Sequence, residues 1–157
     1  MRDKRFITIH RGGTLNKENH NLLILWSCRC VEKVLYLLDS EPDYRVINSI
    51  VIAKQWADEK VSTDEAIKAA RAAHSAAREQ SNLVKVAMAR AAGHTVATAH
   101  MADHALGGAL YALKAVSLSG GDVKAERDWQ NDLLPPQIKD LVMENRKQKE
   151  KSFRFLI

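Results

Sequence analysis

Apolar residues recur along this chain at the three- and four-residue spacing of amphipathic helices, and short polar breaks divide the pattern into segments. From about Lys17 to Asp39, residues Leu22, Leu23, Trp26, Cys30, Val31, Val34, Leu35, Leu37 and Leu38 cover roughly 200° of a helical wheel, leaving Glu18, Arg29, Glu32 and Lys33 for water. A face that wide predicts a central helix with more than one neighbour. Glu41-Pro42-Asp43 breaks it, and Pro42 or Asp43 opens a second helix running to about Asp58 through Val46, Ile50, Ala53 and Ala57. Ser62-Thr63-Asp64-Glu65 has the spacing of a capping box and starts a third. There Ala66, Ala69, Ala70, Ala73 and Ala77 make a small-residue face, and Ile67, Arg71, His74 and Arg78 fall on an adjoining stripe. Asn82 caps a helical pattern that continues to Ser119, with Gly93 a break or close-packing point and Gly120-Gly121 a stop. Asp122 to Leu133 predicts a short helix carrying Trp129, and after Pro135-Pro136 a last helix spans Gln137 to about Lys151, burying Ile138, Leu141 and Val142. Arg5 to His10 alternates weakly, which predicts an extended arm within residues 1–13, and residues 152–157 form a tail.

These segments add up to an all-α, single-domain helical bundle of about six or seven helices over residues 1–157. Composition points the same way. The chain has 46% hydrophobic residues, and its 7 glycines and 3 prolines are too few for a β-rich domain that turns every dozen residues. Alanine, the best helix former, is absent before Ala53 and crowded from there to Ala125, so a Leu/Ile-rich start and an Ala-rich middle must pack differently.

The net charge of +5 is spread thinly, and only Lys139 to Arg154 forms a concentrated basic run. A lysine-rich helix end reads as a solvated terminus before it reads as a nucleic-acid patch, so no nucleic-acid partner is expected. Cys28 and Cys30, two apart on a helix, point about 200° apart and cannot bridge, which makes them reduced core thiols. Met1 to Arg11 holds four basic residues without the apolar run of a secretion signal. The least polar long stretch, Thr95 to Ser119, is interrupted by His100, Asp103, His104 and Lys114, as in a buried helix of a soluble protein rather than a membrane span. The expected address is the cytoplasm, with no membrane partner.

Candidate chemistry concentrates between Gly93 and Gly108, which holds three of the six histidines. On a continuous helix His100 and His104 would lie one turn apart, in a stripe with Gly107 and Tyr111. Such a pair is a two-ligand arm for zinc at about 2.0 Å per nitrogen, with a third ligand to come from His94, His74 or an acidic residue. The glutamate of the metalloprotease motif is missing, since Met101 stands in its place. Histidines among Ala, Gly and Thr neighbours also serve as polar packing, hydrogen-bonded to facing helices, and the main expectation is therefore no cofactor, with His100 and His104 as ligands if zinc binds. Asp103 either orients an imidazole or faces solvent, and Arg71, His74 and Arg78 form either a solvated face or an anion-binding stripe. Trp26, Trp56 and Trp129 read as core or helix-covering residues. Glycine-rich phosphate loops, nucleophile elbows and C-x-x-C pairs do not occur, and Cys28 lies in too apolar a helix to act as a nucleophile. The candidate ligand- or partner-binding set is thus His74, Arg78, His94, His100, Asp103, His104 and Tyr111, with no catalytic residue.

Several stretches together carry a resemblance: Leu25-Trp26-Ser27-Cys28-Arg29-Cys30-Val31-Glu32, Trp56-Ala57, Ala72 to Arg78, Ala91-Ala92-Gly93-His94 through His100-Met101-Ala102-Asp103-His104-Ala105-Leu106-Gly107, Tyr111 to Ala115, and Glu126 to Gln130 with Leu133-Leu134-Pro135. Over about residues 12 to 148 the chain resembles a bacterial family labelled "putative immunity protein". The resemblance implies an all-helical protein of toxin-immunity systems, which binds and blocks a cognate toxin inside the producing cell, and it carries over no catalytic residues. Nuclease inhibitors usually present an acidic face to a basic active site, so a net-basic chain of this kind is expected to meet an acidic or apolar toxin surface. The leading expectation is a stoichiometric binding protein without turnover. The alternative is a metal-dependent enzyme or small-molecule binder built on His74, His94, His100, Asp103 and His104 between bundle helices. Self-association through the Ala/Gly face or through Phe153-Arg154-Phe155-Leu156-Ile157 is a further expectation.

Overall fold

Side-chain caps open most of the helices near the positions the sequence marks. The computed structural model describes residues 2–153. Asn16 accepts from the Asn19 amide at the start of α1 (Lys17–Lys33), and Asp43 accepts from the Arg45 amide at the start of α2 (Tyr44–Ala57). Both bonds of the Ser62–Glu65 capping box form at the head of α3 (Thr63–Glu79). Asn82 caps α4 (Leu83–Ala97), and Asp122 caps α6 (Val123–Asp132). The two remaining helices are α5 (His104–Leu118) and α7 (Pro136–Glu150), the latter with proline in its first turn, where the missing amide costs nothing. Among the described residues the fold is 74% helical, with seven α-helices and no strands.

The wide apolar face of α1 is explained by what surrounds it. Ile24, Cys28 and Val31 enter one core cluster with Trp56, Met88 and Val96, while Leu23, Trp26 and Cys30 enter a second with Leu106, Leu110, Leu113, Ile138 and Val142. The helix stops at Lys33, short of Asp39, and a 3-10 turn over Leu35–Leu37 lets Leu35, Leu37 and Leu38 pack on the first cluster. Cys28 and Cys30 are free, buried thiols on opposite sides of α1.

The centre of the bundle is α4, which packs against α1, α2, α3 and α5. Its apolar residues surround it on all sides, and Ala87, Ala89, Ala91 and Ala92 are small enough to admit neighbours from each direction. The alanine face of α3 lies in the same interior: Ala66, Ala69, Ala70, Ala73, Ala76 and Ala77 are all buried within the chain. That face is therefore not available as an outer surface for self-association, and residues 154–157 of the C-terminal route lie outside the described residues.

Two segments differ from the sequence expectation. The long helical pattern from Asn82 to Ser119 is two helices, because α4 ends at Ala97 and residues 98–103 form a turn. In an unbroken helix the Thr98 carbonyl would accept an amide one turn later, whereas here His20 Nε2 donates to it at 2.6 Å. In place of an extended arm, the N-terminus folds into 3-10 turns at Lys4–Phe6 and Ile9–Arg11, tied by an isolated bridge between Thr8 and Leu15. This segment inserts Phe6 and Leu15 into the second core cluster. No helix among the described residues is long and apolar enough to cross a membrane.

Candidate functional site

Histidine rings from three successive helices meet along the α3–α4–α5 layer. His74 of α3 contacts His94 of α4 edge-on at 5.3 Å between centroids, and His94 contacts His104 of α5 at 5.1 Å. His100, in the turn before α5, continues the row at 5.7 Å from His104. Tyr111, two turns along α5 from His104, stacks on His94 at 5.1 Å with 19° between planes, and Phe153 meets the Tyr111 ring edge-on at 5.3 Å.

Glycines make room for these rings. A Cβ at Gly93 would lie 2.8 Å from Cε1 and Nε2 of His74, and one at Gly107 would lie 2.9 Å from Nδ1 of His94. Each histidine thus occupies the space that a side chain on the next helix would fill, and Gly93 is a close-packing point inside α4 instead of a break. Gly108 does the same for a hydroxyl pair, since Ser27 and Thr95 share a hydrogen bond of 2.8 Å and Ser27 donates to the Ala105 carbonyl.

The hydrogen bonds require neutral rings at His74 and at one of His94 and His104. Arg90 Nη1 donates to His74 Nδ1 at 2.8 Å, so that nitrogen carries no proton. His94 Nδ1 and His104 Nδ1 are 3.1 Å apart, which requires one to donate and the other to accept. Burial is the main cause that lowers the whole set: His94 is pushed down to about 3, helped by its neighbour His104, and His104 to about 4 despite the opposing pull of Asp103. His20, His74 and His100 are lowered for the same reason.

The structure brings together His74, His94, His100, His104 and Tyr111 from the candidate set. It does not place Arg78 or Asp103 in the row. Arg78 is exposed and donates to Ser75 on its own helix, while Asp103 pairs with Arg2 at 3.1 Å. Of the Arg71, His74 and Arg78 stripe, the two arginines face solvent and His74 alone turns inward. The stripe that would align His100 with His104 and Tyr111 does not form, because His100 lies outside both helices. Among the described residues no group of three or more His, Cys, Asp or Glu side chains is arranged to hold a metal ion. One further histidine escapes a motif search. His20 is buried against Trp56 at 4.7 Å, and the only sign of it in the sequence is its place on the α1 face with Ile24, Ser27 and Val31.

A family model described as "Imm-5 like putative immunity protein" matches residues 13–137. The chain belongs to that family. No curated protein matches it, and no solved structure does. The span that carries the Imm-5 like pattern runs from the turn before α1 to the first residues of α7, and so includes every histidine of the row with its two glycine slots. Outside the Imm-5 like span lie the N-terminal turns before Gly13, most of α7, and Phe153, which contacts Tyr111.

Proposed function

We propose that this chain is an immunity protein that neutralises a cognate bacterial toxin in the cytoplasm by stoichiometric association, without catalytic turnover. The observation that carries the reading is the family match over residues 13–137. The chemistry of the histidine row supports it, because His74, His94 and His104 use their Nδ1 atoms on one another and on Arg90, and His74 and His94 sit in glycine slots that fix the α3–α4–α5 spacing. Such a row acts as a rigid internal frame for an outer binding face. A net charge of +5 steers the chain toward an acidic face of the toxin and away from a basic one, and an apolar face would bind without such steering.

The test is to express candidate toxins from the genome that encodes this chain, each alone and together with the chain, and to follow growth. Purified proteins are then mixed and their mass measured by light scattering. The expected result is growth rescue and a complex of fixed stoichiometry, with protection lost once toxin exceeds immunity protein. Protection by a small fraction of an equivalent would overturn the stoichiometric reading, and failure of both rescue and complex formation would overturn the role.

A further inference from the structure

A cavity of about 470 Å³ opens between the N-terminal turns, the start of α1, Trp56 and the turn that joins α4 to α5, with His100 in its wall. That volume lies within the range of about 300–1,000 Å³ common for small-molecule sites. Its charged groups have one sign. Arg2, Arg11 and Lys17 line it together with His10, His20 and His100, and among the described residues no Asp or Glu does so. Two carboxylates act from outside the lining: Asp103 holds Arg2 Nη2 at 3.1 Å, and Glu59 bears on Lys17. The rest of the wall includes the buried apolar side chains of Phe6, Leu15, Ala99 and Ala102.

The cavity also gathers unmet hydrogen-bonding capacity. Arg2 Nε, Thr8 Oγ1 and His100 Nδ1 are buried without a hydrogen-bond partner, and all three residues line this one space. The arginine nitrogen can only donate, and the hydroxyl and the imidazole can each present a proton. Lys17 holds its Nζ over the Trp56 ring, 3.6 Å from the centroid. Buried donors without acceptors are disfavoured, more so when charged, and clustering them with three cations describes a receptor for an acceptor-rich group.

We propose that this cavity binds a small organic carboxylate with an apolar body. The carboxylate sits among Arg2, Arg11, Lys17 and the Thr8 hydroxyl, and the body lies on the wall of Phe6, Leu15 and Ala102. Arg2 and Arg11 precede the span matched by the family, so this site is built partly by a segment outside the family pattern. It does not rest on toxin binding, and the growth assay can succeed whether or not the cavity is filled.

The test is calorimetric titration of the full chain with naphthoate, with naphthalenemethanol as the neutral analogue and inorganic phosphate as an anion without a body. An Arg11→Gln/Lys17→Gln double variant, altered only at exposed cations, is titrated alongside Arg78→Gln, which removes a cation elsewhere on the surface. The expected result is one naphthoate per chain, bound roughly tenfold or more tighter than either analogue, with a loss of about tenfold in the double variant and none in Arg78→Gln. Thermal midpoints of the variants check that they fold. The proposal is overturned if the alcohol or phosphate binds as well as naphthoate, if both variants lose binding equally, or if naphthoate does not bind at millimolar concentration.

Discussion

Replacing Gly107 by alanine tests whether the glycines of this fold are slots for histidine rings. The added Cβ would stand 2.9 Å from Nδ1, 3.1 Å from Cγ and 3.5 Å from Cβ of His94. These atoms lie near the root of the His94 side chain, so a small rotation about its outer bond cannot clear them. The ring is also held by Tyr111 on one side and by the His104 nitrogen on another. Overpacking of this kind costs about 1–3 kcal/mol. Alanine in a helix interior recovers about 0.5–1 kcal/mol relative to glycine. The expected net effect is therefore a loss of up to about 2.5 kcal/mol, or as much as roughly 10 °C in thermal midpoint for a chain of this size. A double-mutant cycle separates the two contributions. In a His94→Ala background the ring is gone, and Gly107→Ala should stabilise by about 0.5–1 kcal/mol, a reversal of sign that helix propensity alone cannot produce. Urea denaturation monitored by circular dichroism measures each variant, with an unchanged slope required for the comparison. If Gly107→Ala stabilises equally in both backgrounds, the slot is not filled by His94 and the packing argument fails. Gly93→Ala should cost less than Gly107→Ala, because its Cβ meets only the outer edge of the His74 ring, which can yield.

The pH dependence follows from the same row. Unfolded histidines titrate near 6.5, while His94 and His104 stay neutral in the fold down to about 3 and 4, so between those values the unfolded chain binds more protons. Stability from this source is complete above about pH 6.5 and falls as acid is added, well before the carboxylates protonate; a urea midpoint unchanged from pH 7.5 to pH 5 would contradict it. Gln130 is fully buried, donates to the Ala109 carbonyl at 3.0 Å and accepts from Arg146 at 3.0 Å, so Gln130→Leu should cost about 2 kcal/mol by leaving the buried Arg146 Nη2 without its acceptor while Nη1 keeps Glu150, as read from chemical denaturation. Burial raises both thiols, that of Cys28 to about 12. A disulfide reagent at pH 8 should therefore modify neither cysteine in the folded chain and both in denaturant, and rapid modification of the native protein would show that α1 opens readily.

Much of the fold was legible in the sequence because its signals are local. A capping box needs only Ser62 and Glu65 three residues apart, and a proline break needs only Pro42 or Pro135-Pro136. The break after Ala97 carries no comparable mark. His20, far away on α1, takes the Thr98 carbonyl, and no window along the chain contains both. The candidate site divides in the same way. His94, His104 and Tyr111 were evident from their density in one segment, but the edge-on partner His74 joins them from another helix through a glycine slot, and Arg78 from the same stripe does not. The cavity beside His100 draws on the N-terminal turns, α1, Trp56 and the α4–α5 turn at once, a combination that no spacing announces.

Periodicity, caps and alanine content act within a few residues, and they suffice for the all-helical class, most helix starts and the face each helix buries. Family membership is likewise a property of the residue pattern over 13–137. That α4 is the hub, that Gly93 and Gly107 receive histidines, and that the N-terminal segment lines a cationic cavity emerge from packing alone. The physical reason is that ring-in-slot packing, a cross-chain bond to a carbonyl and a cluster of like charges are relations between residues distant in sequence. Their energies exist only once the backbone has brought those residues together.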